Sequence, residues 1–132
     1  VRELIKRIQE IKPDAVFVGG VSEWIQGKKP STTDIDVCVT NLDGLEVLGP
    51  IKQWTALLPT NKSKLRAGIE NQEYLIDIFI EEELPDYIEI EGIRYATISA
   101  LIEEYTRVVE VLQDPLFISS RTKMEKKLAN LL

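Results

Sequence analysis

The chain of 132 residues contains no histidine. That absence removes histidine-ligated zinc together with Ser-His-Asp and Cys-His catalysis, and leaves carboxylates as the main candidates for metal ligand or base. One cysteine, Cys38, excludes an internal disulfide; a lone thiol fits a reducing cytoplasm and reads as a small buried side chain. No apolar run approaches the ~20 residues that a membrane helix needs, which speaks against a membrane partner. No signal-peptide pattern is present, and a first residue of Val1 rather than Met reads as a trimmed start. Positive charge is also scarce. With 16 basic against 22 acidic residues the net charge is −6, so there is no general cationic surface for nonspecific nucleic-acid binding. A polynucleotide would need a local basic patch. Arg121, Lys123, Lys126 and Lys127 form the one stretch of that kind, although a solvated helix face is the commoner use of such a run.

The length supports one domain with a proper core. Leu4, Ile5, Ile8 and Ile11 recur at helical spacing, which predicts a helix over residues 2 to 12 stopped by Pro13. Ala15 to Val18 reads as a short buried strand, followed by a Gly19-Gly20 turn and a brief helix in which Trp24 packs onto a sheet. Gly27 to Ser31 is loop chemistry, and Asp34 to Thr40 returns to strand. Leu42 to Leu58 is expected as a helix broken near Gly44 and Gly49-Pro50. Lys64 to Ile69 and Glu73 to Ile80 form a hairpin turning at Glu70-Asn71-Gln72, and Asp86 to Ile90 with Ile93 to Ala96 form another through Glu91-Gly92. Glu81-Glu82-Glu83 reads as a solvated turn. Thr97 or Ser99 caps a helix striped by Leu101, Ile102, Tyr105, Val108, Val109 and Leu112. Pro115 ends it, and a last helix covers Ser119 to Leu131. The fold class expected is α/β (α+β): a mixed sheet flanked by helices, with a core over about 15–96 and a helical tail over about 97–132.

Alternation along a strand puts Asp34 and Asp36 on one face, roughly 6 to 7 Å apart, with Ile35, Val37 and Val39 turned into a core. Two carboxylates so placed can converge on divalent ions, as two-metal phosphoryl-transfer sites require. Asp77 sits in the apolar run Leu75-Ile76-Asp77-Ile78-Phe79, where an acid is expensive unless paired, hydrogen-bonded or metal-bound. If its strand neighbours that of Asp34, the three acids meet at one edge of the sheet. Taken singly, an Asp-x-Asp is most often a solvated strand edge and a Gly-Gly a tight turn. Their order and context give them weight.

These residues resemble the nucleotidyltransferase superfamily typified by DNA polymerase β. Phe17-Val18-Gly19-Gly20 matches its apolar-Gly-Gly/Ser element, Asp34-Ile35-Asp36-Val37 its paired acids, and Ile76-Asp77-Ile78 its third acid. The wording is most similar to the small bacterial and phage members, including minimal nucleotidyltransferases. The likeness is specific over about residues 15 to 80. It implies that Asp34 and Asp36 hold Mg²⁺ (or Mn²⁺) and through it the triphosphate. Asp77 would complete the metal site and take or orient the proton of the attacking hydroxyl. Backbone N–H groups after Gly19 and Gly20 would receive phosphate oxygens, with Lys28 and Lys29 as neutralising charges and Arg66 and Arg94 as further candidates. Many members carry serine directly after the first glycine; here Gly20 stands there, and the nearest hydroxyl is Ser22.

The expected reaction is attack of a hydroxyl on the α-phosphate of an NTP such as ATP, with release of pyrophosphate. The acceptor is open between a protein hydroxyl, an RNA end and a small molecule. So little chain follows Asp77 that a second copy of the chain or a partner protein is expected to complete the acceptor surface. The alternative is a catalytically silent module of the same fold with a binding or regulatory role. A third reading, an unrelated α/β protein with acids at a strand edge, requires Asp77 to lie far from the pair.

Overall fold

The computed structural model describes residues 1–55, 65–70 and 74–132. Its elements in chain order are α1 (Arg2–Ile11), β1 (Val16–Val18), α2 (Gly19–Ile25), β2 (Asp34–Val39), a 3₁₀ turn (Leu45–Leu48), β3 (Ile51–Thr55), β4 (Leu65–Glu70), β5 (Leu75–Ile80), β6 (Tyr87–Ile90), β7 (Ile93–Ala96) and α3 (Ile98–Val111). A second 3₁₀ turn (Pro115–Phe117) leads into α4 (Ile118–Leu131). The described strands form one mixed sheet in the order β3-β4-β5-β2-β1-β7-β6. The β2–β5 and β1–β7 pairs are parallel and the others antiparallel.

The two faces of the sheet are covered differently. Ile35, Val37, Ile76, Ile78, Ala67 and Ile69 point to one side, where they are buried with Phe17 under Ile5 and Ile8 of α1 and under Leu45 and Leu48. On the other side, Val16 and Ala96 pack with Leu101 and Tyr105 of α3 and Leu131 of α4. This second cluster covers the β1 and β7 end, while Asp34, Asp36 and Asp77 share its side of the sheet farther along. The α3 stripe follows the expected spacing, and Thr97 is the cap, its hydroxyl accepting from Ala100 N at 3.0 Å. The Glu91-Gly92 turn has positive φ at both residues, 52° and 80°, the backbone of a tight two-residue hairpin.

One expected element is corrected. Over residues 42–58 the structure has a 3₁₀ turn and then strand β3 instead of a broken helix. Gly44 and Gly49 adopt φ of 86° and 143°, and Pro50 cannot donate to a preceding turn, so a helix cannot pass through them. Beyond Pro50, antiparallel pairing of Ile51 with Ile69 and Trp54 with Arg66 fixes an extended chain. Tertiary pairing outweighs local propensity here. Residues 56–58, the residue 64 end of the expected β4 and the Asn71-Gln72 turn lie outside the described residues.

Gln9 joins three elements. Buried on the apolar face of α1, its Nε2 donates to the carbonyls of Lys12, Pro13 and Ala15, and its Oε1 accepts from Arg94 N at 2.8 Å. The amide thereby fixes the α1–β1 connection against β7. Gln9→Leu, although more apolar, is expected to destabilise the fold by about 1–3 kcal/mol because it strands buried backbone groups; urea unfolding of the two proteins measures it.

Candidate functional site

The β2 and β5 strands run parallel and in register, so Asp36 is the direct neighbour of Asp77 and Asp34 the neighbour of Leu75. All three acids share one side of the sheet. Asp34 is exposed, while Asp36 and Asp77 are half-buried, and the last two are joined by a side-chain hydrogen bond. Burial pushes the Asp36 carboxyl from 3.8 up to about 6, reinforced by the charges of Asp77 and Asp34 and opposed by Lys127 and Arg66. Asp77 is raised as well, chiefly by burial and by Asp34, against the pull of Arg66 and the bond to Asp36. Two neighbouring carboxyls partly withdrawn from water hold a proton where isolated carboxylates would not, and the protonated one donates to the other.

Gly19 makes this arrangement sterically feasible. It opens α2 directly at the end of β1, with φ of 58°, and a Cβ there would lie 2.5 Å from Asp36 Oδ2. No other residue could present its backbone to the acid at that distance. Gly20 is next in the helix, and a Cβ on it would sit 3.0 Å from Lys29 Nζ and 3.3 Å from Thr32 Oγ1. The structure therefore brings together Gly19, Gly20, Lys29, Asp36 and Asp77, with Asp34 at the rim.

Ser22 is engaged elsewhere. The Ser22 hydroxyl is buried and donates to the Ala96 carbonyl at 2.6 Å while accepting from Gln26 Nε2. It ties α2 to β7 and faces away from the acids, because a buried hydroxyl must find a local acceptor. Lys28 is exposed, and its carbonyl accepts from Asn130 Nδ2 of α4. Arg94 lies over Tyr87 at the opposite edge of the sheet. Cys38 follows Asp36 on the same face, is buried, and donates to Glu81 Oε2 at 3.6 Å; burial and Glu81 push its thiol well above the usual range, which leaves it unreactive. Glu81 is thus a partner of β2 and only partly solvated.

Helical periodicity places Lys127 among the solvated basic residues of α4, but the structure turns it towards the acids. Its ammonium lies 5.7 Å from the Tyr105 ring, and it is the largest favourable charge acting on Asp36. Tyr105 in turn donates to the buried Glu23 carboxylate at 3.1 Å, which carries α3 and α4 towards α2. Carboxylate oxygens that mutually raise their proton affinity are the donor chemistry that hard divalent cations favour. Among the described residues, however, no three such side chains form a metal-binding group as they stand, so the trio is not a preformed cage.

No protein-family model matches the chain, and none of the curated proteins matches it either. Among solved structures it is similar to the Megavirus polyadenylate synthase, with a TM-score of 0.66 and 19% identity over 99% of this chain. The fold is nucleotidyltransferase-like. The chain spans 30% of the length of that polyadenylate synthase. It is also similar to JHP933 from Helicobacter pylori, at a TM-score of 0.53 and 16% identity over 97% of this chain and 75% of that one. In this nucleotidyltransferase-like fold, the sheet side bearing the acids lies beside the Gly19-Gly20 corner. No helix among the described residues is long and apolar enough to cross a membrane.

A raised Asp36 fixes the sign of a pH effect. Between 3.8 and about 6 the folded chain binds a proton that the unfolded chain releases, so the site's contribution to stability falls as pH rises through that window and stays unfavourable above it. Asp36→Asn is expected to exceed the parent in stability by about 2 kcal/mol above pH 6, with the gap closing towards pH 4. Denaturation at pH 4, 5.5 and 7.5 reads this, and a gap independent of pH would contradict the assignment. Gly19→Ala, at a positive φ and against the Asp36 carboxylate, is expected to lower stability by about 1–2 kcal/mol.

Proposed function

We propose that this domain is a nucleotidyltransferase that moves an NMP from an NTP to a hydroxyl acceptor, with Asp34, Asp36 and Asp77 in its site. The observation that carries the reading is the in-register pairing of Asp36 with Asp77 beside Gly19 on a nucleotidyltransferase-like sheet. Asp36 and Asp77, with Asp34 at the rim, would hold Mg²⁺ or Mn²⁺. Such an ion supplies charge neutralisation for the triphosphate and relieves the repulsion within the pair.

The chain's own groups divide the remaining work. The Gly19-Gly20 backbone and Lys29 receive phosphate oxygens, and Lys127 adds positive charge from α4. Asp77, on the strand beside Asp36, accepts the proton of the acceptor hydroxyl as that oxygen bonds to the α-phosphorus. The bond from the α-phosphorus to the bridging oxygen breaks, and pyrophosphate leaves with the electron pair. Little covalent chemistry is asked of the protein beyond positioning and charge, in keeping with the absence of histidine. The reading belongs to a reducing, NTP-containing compartment such as the cytoplasm.

A catalytically silent binding module is the second reading. It is favoured by the lack of a converged three-acid group among the described residues. Calorimetry with ATP, GTP, CTP and UTP in the presence of Mg²⁺ separates the readings when paired with a label-transfer assay. Transfer predicts binding of at least one NTP, weakened about tenfold or more in Asp36→Ala. It also predicts that Asp77→Asn reduces NMP transfer by roughly 100-fold, well beyond its effect on NTP affinity. Binding without transfer to any acceptor supports the silent module, and no binding of any NTP rejects the transfer reading.

A further inference from the structure

Past Asp77 the same side of the sheet continues onto β4 and β3, and its character changes from acidic to aromatic and cationic. Trp54 of the β3 edge is 44% exposed and belongs to neither hydrophobic cluster of the described residues. Its indole lies across Gly68, where a Cβ would come within 3.2 Å of ring atoms Cη2 and Cζ3. Gly68 has no positive φ, so its backbone does not require glycine; what the missing side chain provides is room for the ring. Arg66 on the same side places its guanidinium 4.1 Å from the Phe79 ring centre and 5.8 Å from that of Trp54. Lys52, paired with Gly68, shares the face by strand alternation. Gly68 is also the direct partner of Asp77, so the indole lies over the strand next to the acid, a spacing of about 5 Å.

We propose that this shelf is the acceptor subsite, and that it takes the terminal nucleobase of a single-stranded nucleic-acid 3′ end stacked on Trp54. The proposal rests on the nucleotidyl-transfer reading and specifies the acceptor class. A half-exposed indole resting against bare backbone offers its ring to any base, and Arg66 and Lys52 beside it suit the attached phosphate. One strand spacing is of the order of the distance between a base and its ribose 3′ hydroxyl, which would then point at Asp77. A serine or threonine hydroxyl makes no use of a stacking ring. With a net charge of −6 and only a small group of cations beside the indole, the fit is to a short end and not to a long duplex.

The test uses a Trp24→Phe background, which leaves Trp54 as the sole indole, and a six-nucleotide oligoadenylate as the probe. Adding it should quench Trp54 emission, whereas an abasic oligomer of equal charge should not. Trp54→Ala should weaken oligomer binding about tenfold or more, Trp54→Tyr should restore most of it, and Gly68→Val, which displaces the ring, should behave like Trp54→Ala. NTP binding with Mg²⁺, followed on the same samples, keeps the two readings apart. Loss of NTP binding in the parent protein overturns the transfer reading and with it the acceptor role. Intact NTP binding together with no oligomer binding, equal binding of the abasic oligomer, or indifference to Trp54→Ala overturns the shelf alone. Trp54-dependent self-association without base-dependent quenching does the same and assigns the face to a second copy of the chain.

Discussion

Parallel pairing of β2 with β5 is the constraint on which the site depends. It sets two carboxyl-bearing residues side by side in a sheet whose opposite side is a dry core, so Asp36 and Asp77 cannot swing apart without breaking the register that buries Ile35, Val37, Ile76 and Ile78. A slip of one residue in either strand would turn that strand's acid into that core. The same hydrophobic burial that stabilises the sheet therefore holds the like charges together, and their raised proton affinity is its electrostatic consequence.

Around that pair, uneven coverage of the sheet determines what is accessible. Helices α3 and α4 close over the β1 and β7 end through Leu101, Tyr105 and Leu131, and they deliver Lys127 towards Asp36 at the boundary of the covered zone. The Tyr105–Glu23 hydrogen bond and the Ser22–Ala96 bond lock α2 into the same corner, which keeps Gly19 against the acid. On the far side the sheet runs on to Trp54 and Arg66. The acids thus lie between a helix-covered corner with backbone donors and lysines and an aromatic, cationic shelf, the order on which the proposed transfer is built.

Much of this was legible in the residues because the informative patterns are local. Two-residue alternation in Asp34-Ile35-Asp36-Val37 and in Ile76-Asp77-Ile78 assigned the faces correctly, and the Leu101 to Leu112 stripe marked α3. The segment after Leu42 misled, since Leu45 and Leu48 have helical spacing while Gly44, Gly49 and Pro50 forbid a continuous helix, and β4 recruits Ile51 to Thr55 as a strand. Ser22 misled for a different reason: its position beside the glycines is a fact of sequence, but the direction of its hydroxyl is set by the Ala96 carbonyl 74 positions away. Gln9 carried no local signal and Lys127 only that of a basic stretch, as each takes its role from partners on distant elements.

By itself, the sequence determined the chemistry that is available: carboxylates without histidine, a glycine corner ahead of an acid pair, and a third acid in an apolar strand. These are properties of residue type and short-range periodicity, which backbone geometry translates directly into faces and turns. The tertiary structure alone decided that Asp77 neighbours Asp36 and not Asp34, that Lys29 and Lys127 approach the site while the Ser22 hydroxyl is engaged by Ala96, and that Trp54 lies beside the acids. Strand order and register arise from the collective burial of many side chains, a balance that no local pattern contains.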